Sequence, residues 1–166
     1  MLVPELESIY VSPMSRAFVK EGDSVEELPE KLVSEHRNLV TPEGLALIQS
    51  EVERLQAELA DAQRAGDRDA IQRASRDMRY WNQRLGSAEV QPKPTVFSVV
   101  GFGVTVTLER DDGRVQKFRI VGEDESNPAK GSISYVSPLA QALMGKAVGD
   151  VVKAGAGEAE ITAISA

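Results

Sequence analysis

The chain has 166 residues, 42 % hydrophobic and 27 % charged, with a net charge of −7, a single histidine and no cysteine. Such a balance fits a soluble globular protein of one ordinary domain or two small ones. It excludes disulfides, thiolate metal sites and cysteine nucleophiles, and the acidic excess disfavours unaided binding to nucleic-acid phosphates. His36 lies in the polar stretch SEHRN, so no histidine triad or zinc site is expected. No run of eighteen apolar residues and no signal peptide is present, which predicts no membrane span. The lack of cysteine fits the reducing cytoplasm, the expected location.

Residues 1–40 read as an acidic tail. The stretch EGDSVEELPEKLVSEHRN is interrupted by Pro29 and keeps no period, so the segment is expected to be mobile or loosely packed. Met14, which opens MSRAFVKE, reads as an alternative translation start.

Residues 41–90 read as a helical hairpin. Thr41 is placed as N-cap, Pro42 at the first helical position and Glu43 in the first turn. Leu45, Ile48, Val52, Leu55, Leu59 and Ala62 then recur at spacings of three and four, a heptad seam. After Gly66 the rhythm restarts at Ile71, Ala74, Met78, Trp81, Leu85 and Ala88. If the arms run antiparallel, Ala62 faces Ile71, Leu59 faces Ala74, Leu55 faces Met78 and Val52 faces Trp81. Facing positions then add to 133 throughout, which puts the turn between Gly66 and Asp67. Each seam is roughly 27 Å long at 1.5 Å per residue.

Residues 91–166 read as mostly strand. Val104, Val106 and Leu108 alternate, Asp111-Asp112-Gly113 forms a turn, and Phe118 and Ile120 resume the alternation. Gly101 and Gly103 mark a bulge or tight strand entry rather than a nucleotide loop, since no third glycine or helix follows. SISYVS, VGDVV and EAEITAIS supply further strands. Between them Ser137 is an N-cap, Pro138 starts a short helix, Leu139 and Leu143 form its apolar face, and Gly145 ends it. The expected fold is α+β: an antiparallel coiled-coil hairpin followed by an antiparallel sheet with one short helix.

The motifs FRIVGEDE, SISYVSPLAQALMGKAVGDVV and GEAEITAI resemble the C-terminal domain of the bacterial Gre (GreA/GreB) transcription elongation factors. TPEGLALIQSEVERLQAEL resembles the entry to their coiled coil, and GDRD resembles their tip. The resemblance spans about residues 41–166. It implies an FKBP-like C-terminal domain that docks on RNA polymerase beside the secondary channel, and a coiled coil that enters the channel. It also implies acidic tip residues that help hold a catalytic magnesium ion while the polymerase cleaves backtracked RNA. The partner so implied is RNA polymerase, with indirect contact with RNA or DNA inside the elongation complex and no membrane. Residues at the docking positions are Ser134, Val136, Ser137 and Pro138; Val136 stands where relatives often carry Asp or Asn.

The tip departs from the family. Asp67 matches its aspartate, but Ala70 stands where a glutamate is usual three residues on. Both arms are shorter than the family pattern, the first by roughly eight residues, or about 12 Å of helix. Three readings of Asp67 and Asp69 stay open. They cap and charge the start of the second helix, they handle metal, or they touch basic side chains inside the channel. Arg73, Arg76, Arg79 and Arg84 make the second helix basic against Glu51, Glu53, Glu58 and Asp61 on the first, which predicts cross-hairpin and surface ion pairs.

The reading is a regulator of elongation that binds polymerase at the secondary channel, stimulates cleavage weakly or not at all, and is no enzyme, with no catalytic residue, metal or cofactor of its own. The alternatives are a full transcript-cleavage factor, or a coiled-coil adaptor unrelated to transcription. Prolyl isomerase activity would need an aromatic pocket, for which the domain offers only Phe97, Phe102, Phe118 and Tyr135.

Overall fold

The computed structural model describes residues 27–166. The alternative start at Met14, like the rest of residues 1–26, lies outside the described residues. Two long helices are followed by a five-stranded sheet. The elements are β1 (Leu39–Val40), α1 (Pro42–Ala65), α2 (Arg68–Ser87), β2 (Glu89–Val90), β3 (Thr105–Arg110), β4 (Val115–Val121), β5 (Ser132–Ser134), α3 (Pro138–Leu143), β6 (Val151–Ala154) and β7 (Gly157–Ser165).

The hairpin follows its apolar rhythm. The Thr41 hydroxyl accepts the Gly44 N–H at 3.0 Å, and Pro42 needs no hydrogen-bond partner at the first helical position. Ile48, Val52, Leu55, Ala62 and Ala74 are buried along the seam, and Leu45, Leu59, Ile71, Met78, Trp81 and Leu85 are half-buried beside them. Gly66 closes α1 at φ 68°, a left-handed conformation that glycine adopts without steric cost. The turn therefore falls at Gly66–Asp67, the midpoint that the constant-sum register requires.

The C-terminal sheet runs β5-β4-β3-β7-β6. Val106 and Leu108 on β3 and Ile120 on β4 point into a core completed by Ile133, Ile161, and Ala140 and Leu143 of α3. Gly113, at φ 81°, closes the Asp111–Gly113 turn, and Gly103, at φ 86°, leads into β3. The sheet is not purely antiparallel as expected. β5 pairs with β4 in parallel, Ile133 opposite Ile120, because the chain between them passes through short 3₁₀ turns at Glu123–Glu125 and Pro128–Lys130 instead of a tight hairpin.

The expectation of a loosely packed tail over residues 1–40 fails for residues 38–40, whereas residues 27–37 are mostly exposed and join no helix or strand. Val40 is 1 % exposed and Asn38 is 4 % exposed. β1 pairs in parallel with β2, Leu39 opposite Glu89 and Val40 opposite Val90. The sequence placed boundaries at residues 40 and 90; the structure stitches those two points together at the base of the hairpin. A two-residue ribbon has no period to read, so the pattern could not announce it.

Candidate functional site

The tip comes first. Asp67 is the N-cap of α2, and its Oδ1 accepts the Ala70 N–H at 3.0 Å. Asp69 sits in the first turn, where a negative charge favours the helix dipole. Both carboxylates are exposed. One oxygen of Asp67 is committed to the cap, and Ala70 brings no third or fourth oxygen. Among the described residues no cluster of three or more His, Cys, Asp or Glu is placed to hold a metal ion. A magnesium site of the kind the resemblance implies asks for several convergent oxygens, and these residues do not fit it on their own. Capping makes an unequal prediction for the two acids. Asp67→Ala should cost about 1 kcal/mol of stability and Asp69→Ala only a few tenths, read from urea midpoints. Equal costs would contradict the capping role.

The residues that the resemblance assigns to docking lie in the sheet domain, at the end of α2 opposite the tip; its 20 residues span about 30 Å. Ser134 ends β5, and its hydroxyl accepts the Val136 N–H at 3.3 Å. Ser137 caps α3 by accepting the Ala140 N–H at 3.3 Å, and its own N–H donates to the Ser134 carbonyl at 2.9 Å. Pro138 is exposed, whereas Ser134, Val136 and Ser137 are half-buried. The serines thus shape the turn, and Val136 and Pro138 carry what the turn presents. Tyr135, between them, meets the Phe102 ring edge-on at 5.8 Å between centroids, and its hydroxyl donates to the Arg37 carbonyl.

Between tip and docking face lies a junction that the sequence reading missed. Arg84, taken there for part of a basic surface, is 1 % exposed. Its Nε donates to Asp124 Oδ2 at 2.5 Å, its Nη2 donates to Asn38 Oδ1 at 2.6 Å, and Glu123 Oε2 stands 3.6 Å from Nη2. Asn38 returns an amide hydrogen bond to the Arg84 carbonyl at 2.7 Å. Tyr80, one turn earlier on the same face, donates to Asp124 Oδ1 at 2.6 Å. Burial, with the neighbouring Asp124 carboxylate, pushes the Tyr80 phenol up to about 12, so it remains a donor at neutral pH.

Glu125 grips the other helix. Its carboxylate accepts the Thr41 N–H and the Gly122 N–H, each at 3.0 Å, and also the Thr41 hydroxyl. A Cβ on Gly44 would stand 2.1 Å from Glu125 Cδ, so only glycine lets that carboxylate reach the start of α1. Glu43 adds ion pairs to Lys93 and Arg119, each at 3.4 Å. A hydrogen bond from its own backbone N–H is the largest cause of a lowered pKa; with Lys93 and Arg119 it outweighs desolvation and holds the carboxyl down to about 2. The stretch GEDE, residues 122–125, therefore joins the sheet domain to both arms of the hairpin. The expected cross-hairpin pairs are replaced: Arg76, Arg79 and Arg84 pair with Asp77, Glu30 and Asp124, not with acids of α1. The legible signal was three consecutive acids, Glu123, Asp124 and Glu125, one glycine after the apolar strand end Ile120-Val121.

Comparison with known proteins fits this architecture. The family profile described as transcription elongation factor, GreA/GreB, C-terminal, matches residues 93–165. A transcription elongation factor GreA of Solidesulfovibrio magneticus is 34 % identical over 132 residues, covering 68 % of this chain and 80 % of that protein. The chain belongs to the Gre family of transcription elongation factors. A GreA of Nautilia profundicola shares 52 % identity over 65 residues, 39 % of this Gre-family chain and 40 % of that protein. Among solved structures, the GreA factor homolog 1 (Gfh1) of Thermus thermophilus aligns with 79 % of this chain and 100 % of its own, at 22 % identity and a TM-score of 0.39. The Solidesulfovibrio alignment also carries a length difference. Its 132 positions take in 68 % of 166 residues, about 113, so about 19 residues of the relative have no counterpart in this Gre-family chain.

Proposed function

We propose that this chain binds RNA polymerase through its C-terminal domain, occupies the secondary channel with its short hairpin, and stimulates transcript cleavage weakly or not at all. The observation that carries the reading is the tip: an oxygen of Asp67 caps α2, and Ala70 stands where the family pattern has a glutamate, which leaves Asp69 as the other tip acid. The length difference of about 19 residues from the Solidesulfovibrio relative agrees with arms too short to reach the polymerase metal. In this reading the chain is a regulator and not an enzyme. Its contact with RNA or DNA is indirect, and it works in the cytoplasm. Among the described residues no helix is long and apolar enough to cross a membrane.

Docking and tip should separate in a binding measurement. Val136→Arg and Pro138→Arg place bulk and charge on the presented turn and should each weaken polymerase binding about tenfold, or 1.4 kcal/mol. Asp67→Asn and Asp69→Asn should change it less than about threefold, because exposed acids with few contacts contribute little. The reverse order would reject docking through Ser134–Pro138. Failure of polymerase subunits to co-purify with a tagged chain would favour the adaptor reading.

A further inference from the structure

Residues 27–38 run along α2 without joining a helix or a sheet. The lower end is fastened: Asn38 is buried in the junction, and Arg37 pairs with Glu89. Higher up, Lys31 Nζ lies 3.0 Å from Asp77 Oδ1 and 5.8 Å from the centroid of the Tyr80 ring. Glu30 engages the Arg79 guanidinium through both carboxylate oxygens. Higher still, Glu27 and Leu28 line a groove of about 350 Å³ with Ile71, Gln72, Ser75 and Arg76. Ile71 is about one turn from the tip, so the segment covers most of one side of α2.

Two properties of this contact point to a function. It is loosely held above Asn38. Glu30 and Arg79 are 61 % and 58 % exposed, Leu32 is 94 % exposed, and Lys31 is 41 % exposed in its pair with the half-buried Asp77, so the segment is held by few and mostly exposed contacts. The covered face also has a mixed charge pattern. Arg79 takes the carboxylate of Glu30, while Asp77, two residues nearer the tip, takes the ammonium of the adjacent Lys31. A phosphate chain would meet Asp77 with the wrong sign, whereas an extended protein segment of mixed charge matches both.

We propose that residues 27–37 are a detachable strap over a second interaction face, formed on α2 by Ile71, Arg76, Asp77 and Arg79. The partner of that face is a mixed-charge protein surface lining the polymerase channel, with a carboxylate opposite Arg79. This rests on the reading that the hairpin enters the channel. Two helices, each about 10 Å across, already make a wide probe; a third chain beside them close to the tip widens it where entry is most confined. Residues 27–37 lift from α2, pivot at Asn38, and exchange their contacts for those of the channel wall.

The chain has no cysteine, so E27C/Q72C supplies two unique thiols across the groove. A short bis-thiosulfonate linker joins them and is released by reductant. The linked protein should bind core polymerase about tenfold more weakly than the same protein after reduction. The E30Q/K31Q variant, which loosens the strap and leaves α2 intact, should bind a few-fold more tightly than the native chain. Native binding that is indifferent to the linker, or weakened in E30Q/K31Q, overturns the strap alone. Absence of binding by every form, native included, overturns the polymerase reading and the strap with it. Capture of a single-stranded RNA oligonucleotide by E30Q/K31Q but not by the native chain overturns the assignment of the face to a protein partner.

Discussion

Arg84→Met should destabilise the protein by about 3–5 kcal/mol, the cost of removing one partner from a buried ion pair. The size follows from what remains. Asp124, 6 % exposed at its side chain, would keep the Tyr80 hydroxyl but lose its counter-charge, and Asn38 would lose the donor to its Oδ1. Among the described residues Glu123 Oε2 has no hydrogen-bond partner, and Arg84 is the cation that pairs with both Glu123 and Asp124. Asp124→Leu combined with Arg84→Met should recover part of the loss, because it removes one of the two carboxylates that Arg84 had offset and leaves only that of Glu123. Arg79→Met is the control: its pair with Glu30 is exposed on both sides and should be worth less than about 1 kcal/mol. Urea midpoints for the three variants check the series. Similar losses for Arg84→Met and Arg79→Met would mean that the buried network does not hold the hairpin to the sheet domain.

The difference between these two arginines shows what a sequence can and cannot reveal. In α2 both lie in the same basic-looking run, and periodicity places neither on the apolar seam. The local rules were legible: Thr41, Asp67 and Ser137 each cap the helix they precede, and the seam register puts the turn at Gly66–Asp67. So were the strands with a clear period of two, such as Val106 and Leu108. Arg84 became buried because a carboxylate 40 positions away folds over it, and no local pattern records that. The parallel pairing of β5 with β4 and the two-residue ribbon at Leu39–Val40 were hidden for the same reason: each depends on a distant partner rather than on its own residues. At the candidate site, the cap formed by Asp67 was among the readings the sequence left open, and the hydrogen bond to Ala70 shows that it forms.

The second large effect concerns transcript cleavage. In the proposed docking the tip stops about 12 Å short of the polymerase metal and cannot ligate it, because magnesium takes oxygen ligands at about 2 Å. Side-chain rotation cannot close that gap, so length outweighs chemistry. Ala70→Glu alone should leave cleavage at the level of the unmodified chain. Adding one heptad to each arm preserves the seam and extends the tip by about 10 Å. Combined with Ala70→Glu, this lengthening should raise cleavage at least tenfold over the native chain, while the lengthened hairpin without the glutamate should gain less.

The direct measurement is transcript length in a stalled, backtracked elongation complex incubated with the purified, unmodified protein. The account predicts that the transcript stays uncut, or is shortened little faster than by polymerase alone, while the protein remains bound. Rapid shortening by the unmodified chain, abolished by Asp67→Asn, would show that the tip reaches the metal and would contradict it.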